Sequence, residues 1–190
     1  EKLDGLFLDL GVSSHQFDTA DRGFSFKYEA KLDMRMNKES ELTAFEVVNN
    51  YPAEQLTKLL KEYGQPEKLY SIVKAIVAER QSGKIESTKD LISCIKHLTP
   101  KHKENKFFAK IFQALRIEVN DEINALKEAL ENSVKALKPE GRLVVISYHS
   151  IEDKIVKNFM KSGNIKGEVE KDLFGNTESK IRQVNRKVIV

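Results

Sequence analysis

Two stretches of this chain put reactive side chains where a scaffold could present them. In the first, the apolar run Leu6-Phe7-Leu8-Asp9-Leu10 empties into Gly11-Val12-Ser13-Ser14 and then into a long polar segment. That segment carries Arg22-Gly23-Phe24-Ser25-Phe26 and Leu32-Asp33-Met34-Arg35-Met36, arginines and aromatics spaced with neither helical nor strand periodicity. Guanidinium forks bind phosphates and carboxylates, so the stretch reads as an active-site edge. In the second, Ser147-Tyr148-His149-Ser150 follows another apolar run and brings an imidazole whose intrinsic pKa suits proton transfer near neutrality. Farther from both, Lys101-His102-Lys103-Glu104-Asn105-Lys106 with Lys110 forms the best local basic patch, beside Phe107 and Phe108. Its chemistry would be phosphate neutralisation, and the plain alternative is a solvated loop. His97 and His102 have no carboxylate companions at ligand spacing, so no metal site is expected.

The elements that must position these groups follow from periodicity. Residues 4 to 10 form a near-continuous apolar run, the pattern of a strand buried on both faces of a parallel sheet. A loop to about residue 37 follows, ordered by Phe17, Phe24, Phe26, Tyr28, Met34 and Met36. Residues 40 to 118 read as helices throughout. Thr43 with Glu46 makes a capping box, Pro52 and Pro66 open the next two helices, Thr88 caps a fourth, and Phe108, Ile111, Phe112, Leu115 and Val119 stripe a fifth. A helix from about Asp121 to Leu137 then ends at Pro139-Glu140-Gly141, before a buried strand at Arg142 to Ser147 and a helix at Ile151 to Met160. Two weaker strands are expected at 167 to 172 and 183 to 190. The order is that of an α/β protein, the second half of a doubly wound domain interrupted by a helical insertion, divided as 1–38, 39–118 and 119–190. Ligands of such sheets bind outside the carboxyl ends of the strands, which sets Asp9 to Ser14 and Ser147 to Ser150 on one rim.

Composition narrows the class. A chain of 190 residues holds one good core, or one domain with a sizeable insertion. Lys+Arg 32 against Asp+Glu 29 leaves a net charge of only +3, so any polyanion site must be local. A single cysteine, Cys94, excludes an internal disulfide and a cysteine-based zinc site and fits a reducing compartment, the cytoplasm by default. No apolar run reaches the roughly 18 to 20 residues of a membrane span, so no membrane partner is expected. Because the chain starts almost directly in a strand and stops on another strand-like run, both ends read as cut from something longer.

Five segments, Asp9-Leu10-Gly11-Val12-Ser13-Ser14, Arg22 to Phe26, Leu32 to Met36, Phe112-Gln113-Ala114-Leu115-Arg116-Ile117 with Val119-Asn120, and Ser147 to Asp153, together resemble the bacterial S-adenosylmethionine-dependent 16S rRNA cytosine-N(4) methyltransferases. The resemblance spans essentially the whole chain, in the family's order. It implies the C-terminal half of a Rossmann-like class I methyltransferase domain with an inserted all-helical substrate-recognition domain. It further implies S-adenosylmethionine as cofactor and 16S ribosomal RNA within the small subunit as partner. The family's glycine-rich cofactor loop lies before the point where this chain begins, so the chain alone is expected to be inactive.

The same resemblance carries two cofactor contacts onto this chain. Asp9 would contact the methionine amine of the cofactor and Gln16 would reach it from the following loop, although a strand-end Asp can also be a simple cap. An exocyclic amine is a weak nucleophile because its lone pair is delocalised into the ring. Hydrogen-bond acceptors that localise this pair, here Ser13 and Ser14, should supply much of the acceleration; both can also serve an ordinary turn. A base inside structured RNA must be turned out to react, and Phe24 and Phe26 could stack on it or could plug the loop onto the core. Arg22 and Arg35 would bind RNA phosphates or the cofactor carboxylate, or pair with Asp21 or Asp33. His149 is the candidate general base, with a structural role as its alternative, and Lys101, Lys103, Lys106 and Lys110 are the candidate phosphate contacts. Arg116 and Asn120 would join the insert to the catalytic domain. A DNA amino-methyltransferase and a non-catalytic helical RNA-binding or assembly module are the competing readings.

Overall fold

Apolar residues recurring every three to four positions between residues 44 and 119 condense into five α-helices. They are α1 (Ala44–Asn50), α2 (Ala53–Leu59), α3 (Leu69–Ser82), α4 (Thr88–Ile95) and α5 (Glu104–Val119). The computed structural model describes residues 2–13, 20–168 and 181–185. Around the helices, one strand, β1 (Leu3–Asp9), comes before and α6 (Glu122–Ala136), β2 (Leu137–Ile146) and α7 (Ser150–Ser162) come after. The backbone divides into two compact units, one of Val12–Asp121 and one of Glu1–Gly11 with Glu122–Val190. By contacts, the loop ahead of residue 38 groups with the helices from Val12 onward. The physical reason is that Phe24, Leu32 and Met34 of the loop are buried in the same core as the helices.

Local chemistry sets the helix ends. Thr43 Oγ1 accepts the N–H of Glu46 at 3.2 Å, the expected cap of α1. Pro52 precedes α2, and the chain past Leu59 widens into a π-turn, Leu60–Gly64. The third helix starts at Leu69, three residues beyond Pro66, because Lys68 adopts a left-handed conformation (φ 60°) just before it. Ser87 rather than Thr88 caps α4, in a reciprocal box with Asp90. Thr88 is instead wholly buried, its Oγ1 donating to the Tyr28 carbonyl (2.7 Å) and accepting the Ala30 N–H (3.1 Å). Val47, Leu56, Ile72, Leu91 and Ile111, one from each helix, share the core.

In the other unit β1 and β2 pair in parallel, Leu6 opposite Leu143 and Asp9 opposite Ile146. Pro139-Glu140-Gly141, expected as a turn between helix and strand, is a bulge within β2. Pairing is already made at Leu3 with Leu137, and between there and Gly5 with Arg142 one residue of β1 opposes four of β2. Leu8, Leu143 and Val145 pack with Leu126 and Leu130 of α6 and Phe159 of α7. The opposite face is open. Phe7 is 59% exposed, Val144 51% and Ile146 41%, so the expected burial on both faces is not seen among the described residues. The molecule is thus a mixed α/β protein with a small parallel sheet. The weak strands expected at 167–172 and 183–190 lie largely outside the described residues, and Gly167, Glu168 and 183–185 form none.

Candidate active site

Parallel pairing brings the carboxyl ends of β1 and β2 side by side, and the ladder continues one step past Asp9, where the Leu10 N–H donates to the Ile146 carbonyl at 3.1 Å. Gly11 then turns the chain with φ +84°, a conformation that side chains with a Cβ rarely adopt. Two residues beyond β2, the Tyr148 hydroxyl donates to Asp9 Oδ1 at 2.9 Å. The bond to Asp9 and that residue's negative charge hold the phenol above its ordinary pKa. The strand-end rim expected from topology is therefore present for Asp9 to Gly11 and Tyr148. Ser13 is exposed and belongs by its backbone contacts to the helical unit, while Ser14 and Gln16 lie outside the described residues.

His149, the expected general-base candidate, is engaged as the cap of α7. Its Nδ1 accepts the Glu152 N–H at 3.4 Å, while Glu152 Oε2 accepts the N–H groups of Tyr148 (3.0 Å) and His149 (3.4 Å). Its Nε2 is buried 3.2 Å from Glu152 Oε1 without a well-aligned hydrogen bond, the side chains being 10% and 4% exposed. Burial pushes the Glu152 carboxyl up, but the His149 ring and the Tyr148 N–H outweigh it and hold the acid below its usual range. A carboxylate oxygen of Glu122 lies within 4.8 Å of both. Because Nδ1 accepts a backbone N–H, the neutral ring carries its proton on Nε2, so that nitrogen has no lone pair for a metal while the cap is made. The His149–Glu152 pair acts as a support that fixes the turn bearing Tyr148.

Within the helical unit, the loop residues expected at the substrate are turned inward or paired. Phe24 is 5% exposed, with the Arg22 guanidinium 5.6 Å from its ring centre. Phe26 packs its ring on Phe108 and Phe112, centroids 6.1 and 5.8 Å away. Arg22 donates to the Arg35 carbonyl. Arg35 makes the two-pronged pair with Asp33 that the sequence offered as an alternative, both bonds at 2.8 Å, and donates besides to the carbonyls of Lys38 (3.0 Å) and Ser40 (2.7 Å). Its guanidinium holds the Asp33 carboxyl below the usual range. Of the lysines, Lys101 and Lys106 are exposed, Lys103 pairs with Glu67 at 3.2 Å, and Lys110 donates to the Gln65 carbonyl at 2.7 Å. Phe107 and Phe108 beside them are buried.

Two features carry more than their sequence signal. Asn120, just past α5, accepts the Met36 N–H (2.6 Å) and donates to the Met34 carbonyl (2.7 Å), clamping the loop to the helix end. Met34 itself has φ 59° and no exposed surface, a strained backbone held by its surroundings. Tyr148 pairs with Asp9 across 139 residues, and no local pattern announces that.

The carboxyl ends of the parallel strand pair gather a carboxylate, a phenol and a glycine turn, on the edge where α/β sheets generally bind ligands. The chain belongs to the MraW methylase family, whose profile matches residues 1–190. Proteins named "Ribosomal RNA small subunit methyltransferase H" are similar along its whole length. They are 53% identical over 189 residues in Parabacteroides distasonis and 52% over 190 in Phocaeicola vulgatus, each match covering 100% of this chain and 62% of the relative. That of Flavobacterium psychrophilum is 47% identical over 189 residues, with 65% of the relative covered. The chain thus spans about three fifths of the length of these curated relatives.

Proposed function

We propose that the whole protein carrying this chain methylates the exocyclic N(4) amine of a cytidine in 16S ribosomal RNA of the small subunit, using S-adenosylmethionine. The observation that carries the reading is the family match over residues 1–190, reinforced by relatives named for small-subunit ribosomal RNA methylation. The chemistry of the strand end fits the cofactor. Asp9 is an exposed carboxylate with one oxygen engaged by Tyr148 and the other open, among the described residues, to an ammonium group. S-adenosylmethionine, when bound, supplies an electrophilic methyl group. The task of the chain's own residues is then to hold and orient: Asp9 and Gln16 toward the donor, Ser13 and Ser14 as acceptors for the target amine. The His149–Glu152 pair keeps the Tyr148 turn in register.

In the same reading, the two-stranded sheet is part of a larger Rossmann-like sheet, and residues 12–121 are an inserted helical domain that engages RNA. The apolar outer face of Phe7, Val144 and Ile146 supports the first part, since a doubly wound sheet is covered on both faces. Lys101, Lys103, Lys106 and Lys110 would meet phosphates, two of them by exchanging the partners they now hold, whereas Arg22, Phe24, Phe26 and Arg35 frame the loop. The test is to incubate the full-length protein and cofactor with small subunits lacking the modification, then to map methylation by mass spectrometry of nucleosides. One methyl group gained on a cytidine amine is the expected result. No transfer to free RNA or to particles overturns the proposal.

A further inference from the structure

We infer that Tyr148 is the platform on which the target base stacks; this rests on the methyl-transfer reading above and says where the substrate would lie. The residue is 68% exposed, yet it is held from three directions. Its N–H is bound by Glu152 Oε2 at 3.0 Å and its hydroxyl by Asp9 Oδ1 at 2.9 Å. Its edge lies beside Gly11, where an added Cβ would meet Cδ2 at 3.6 Å. A ring this open and this restrained loses little rotamer freedom when a planar partner arrives. Turned-out bases are commonly held against aromatic faces, and such stacking is indifferent to everything but a π surface.

The alternatives are weaker on the same grounds. Phe24 is buried and Phe26 is packed on two other rings. Among the described residues of the α/β unit, the other exposed aromatic is Phe7, which sits on the open face of β1 before its carboxyl end. Among the described aromatic residues, Tyr148 alone stands at the strand end, tied to the carboxylate proposed to hold the methyl donor. A base stacked there lies next to the donor, as in-line transfer requires.

The experiment uses the full-length protein, its cofactor and small subunits lacking the methyl group, comparing wild type with Tyr148→Ala, Tyr148→Leu and Tyr148→Phe. Stacking predicts that Ala and Leu lower kcat/KM for the particle by about tenfold to hundredfold. Cofactor affinity by calorimetry should stay within about twofold and the melting temperature should not move, because the ring is exposed and cofactor contact is assigned to Asp9. Phe, which keeps the ring, should recover most of the activity. The inference is overturned if Ala and Leu turn over like wild type. It is equally overturned if Phe fails as badly as Ala and both lose cofactor binding, since the hydroxyl would then act only by positioning Asp9. If wild type itself transfers no methyl group, the proposed function fails first and the stacking role falls with it.

Discussion

Residues 12–121 bury a branched or aromatic side chain from each of five helices in one continuous core, whereas among the described residues of the α/β unit only Leu126, Leu130 and Phe159 form a comparable buried cluster. The first unit closes on itself. The second covers one face of its sheet and leaves Phe7, Val144 and Ile146 open on the other. Stability and candidate chemistry are thus unevenly distributed. The self-sufficient unit turns its aromatics and arginines inward to hold a strained loop, and the thinner one exposes the carboxylate and phenol at its strand ends.

The comparison can be broken most directly by two substitutions read side by side. Ile111→Ala removes a fully buried side chain of the helical core and should cost about 2–5 kcal/mol in a denaturant titration. Asp9→Ala in the full-length protein should leave the melting temperature in place while weakening S-adenosylmethionine binding by about tenfold or more. Equal thermal losses for both would erase the distinction. Phe7→Ala sharpens it further. In this chain the side chain is mostly exposed, so the change should stay within about 1 kcal/mol. In the full-length protein the same change should cost about 3–5 kcal/mol if the face is covered there.

Asn120→Ala should cost about 2–3 kcal/mol, because it strands the Met36 N–H and the Met34 carbonyl. Hydrogen exchange at Met36 should quicken with it, and unchanged protection there would mean that the loop is held by other contacts. The smallest effect concerns acid. Asp33 and Glu152 both have folded pKa values below their ordinary 3.8 and 4.5. Their contribution is therefore complete at neutral pH and is lost as pH falls through the carboxylate range toward the folded values. Asp33→Asn should flatten the part of that acid loss belonging to the helical unit, as read by its unfolding at pH 7 and pH 3.

Much of this was legible in the sequence because it is local. Apolar spacing marks all five helices of the central unit, and the strand-end rim follows from parallel topology. Where adjacent residues offer the same chemistry, spacing does not choose between them: Ser87 and Thr88 are both hydroxyls, and only packing sends Thr88 inward. Alternation across Phe24-Ser25-Phe26 shows that the two rings share a side, and the tertiary fold decides that this side is the core. His149 carries an imidazole suited equally to proton transfer and to capping, and Glu152 three residues later is what commits it to the cap. The Tyr148–Asp9 and Asn120–Met34 bonds join residues far apart in sequence, which no local pattern records.

The parallel pairing of β1 with β2 also constrains the order in which the protein forms. Leu6 and Leu143 pair although 137 residues separate them, and at about 5–20 residues per second of synthesis the first strand waits roughly 7 to 27 s for its partner. Helical blocks rich in local contacts form in microseconds to milliseconds. The helical unit can therefore be complete on the ribosome before β1 and β2 pair, shortening the flexible chain that must close when β2 emerges. Until then the edge of β1 is exposed, and mutations that delay the helical unit would be felt first as aggregation of nascent chains rather than as loss of chemistry.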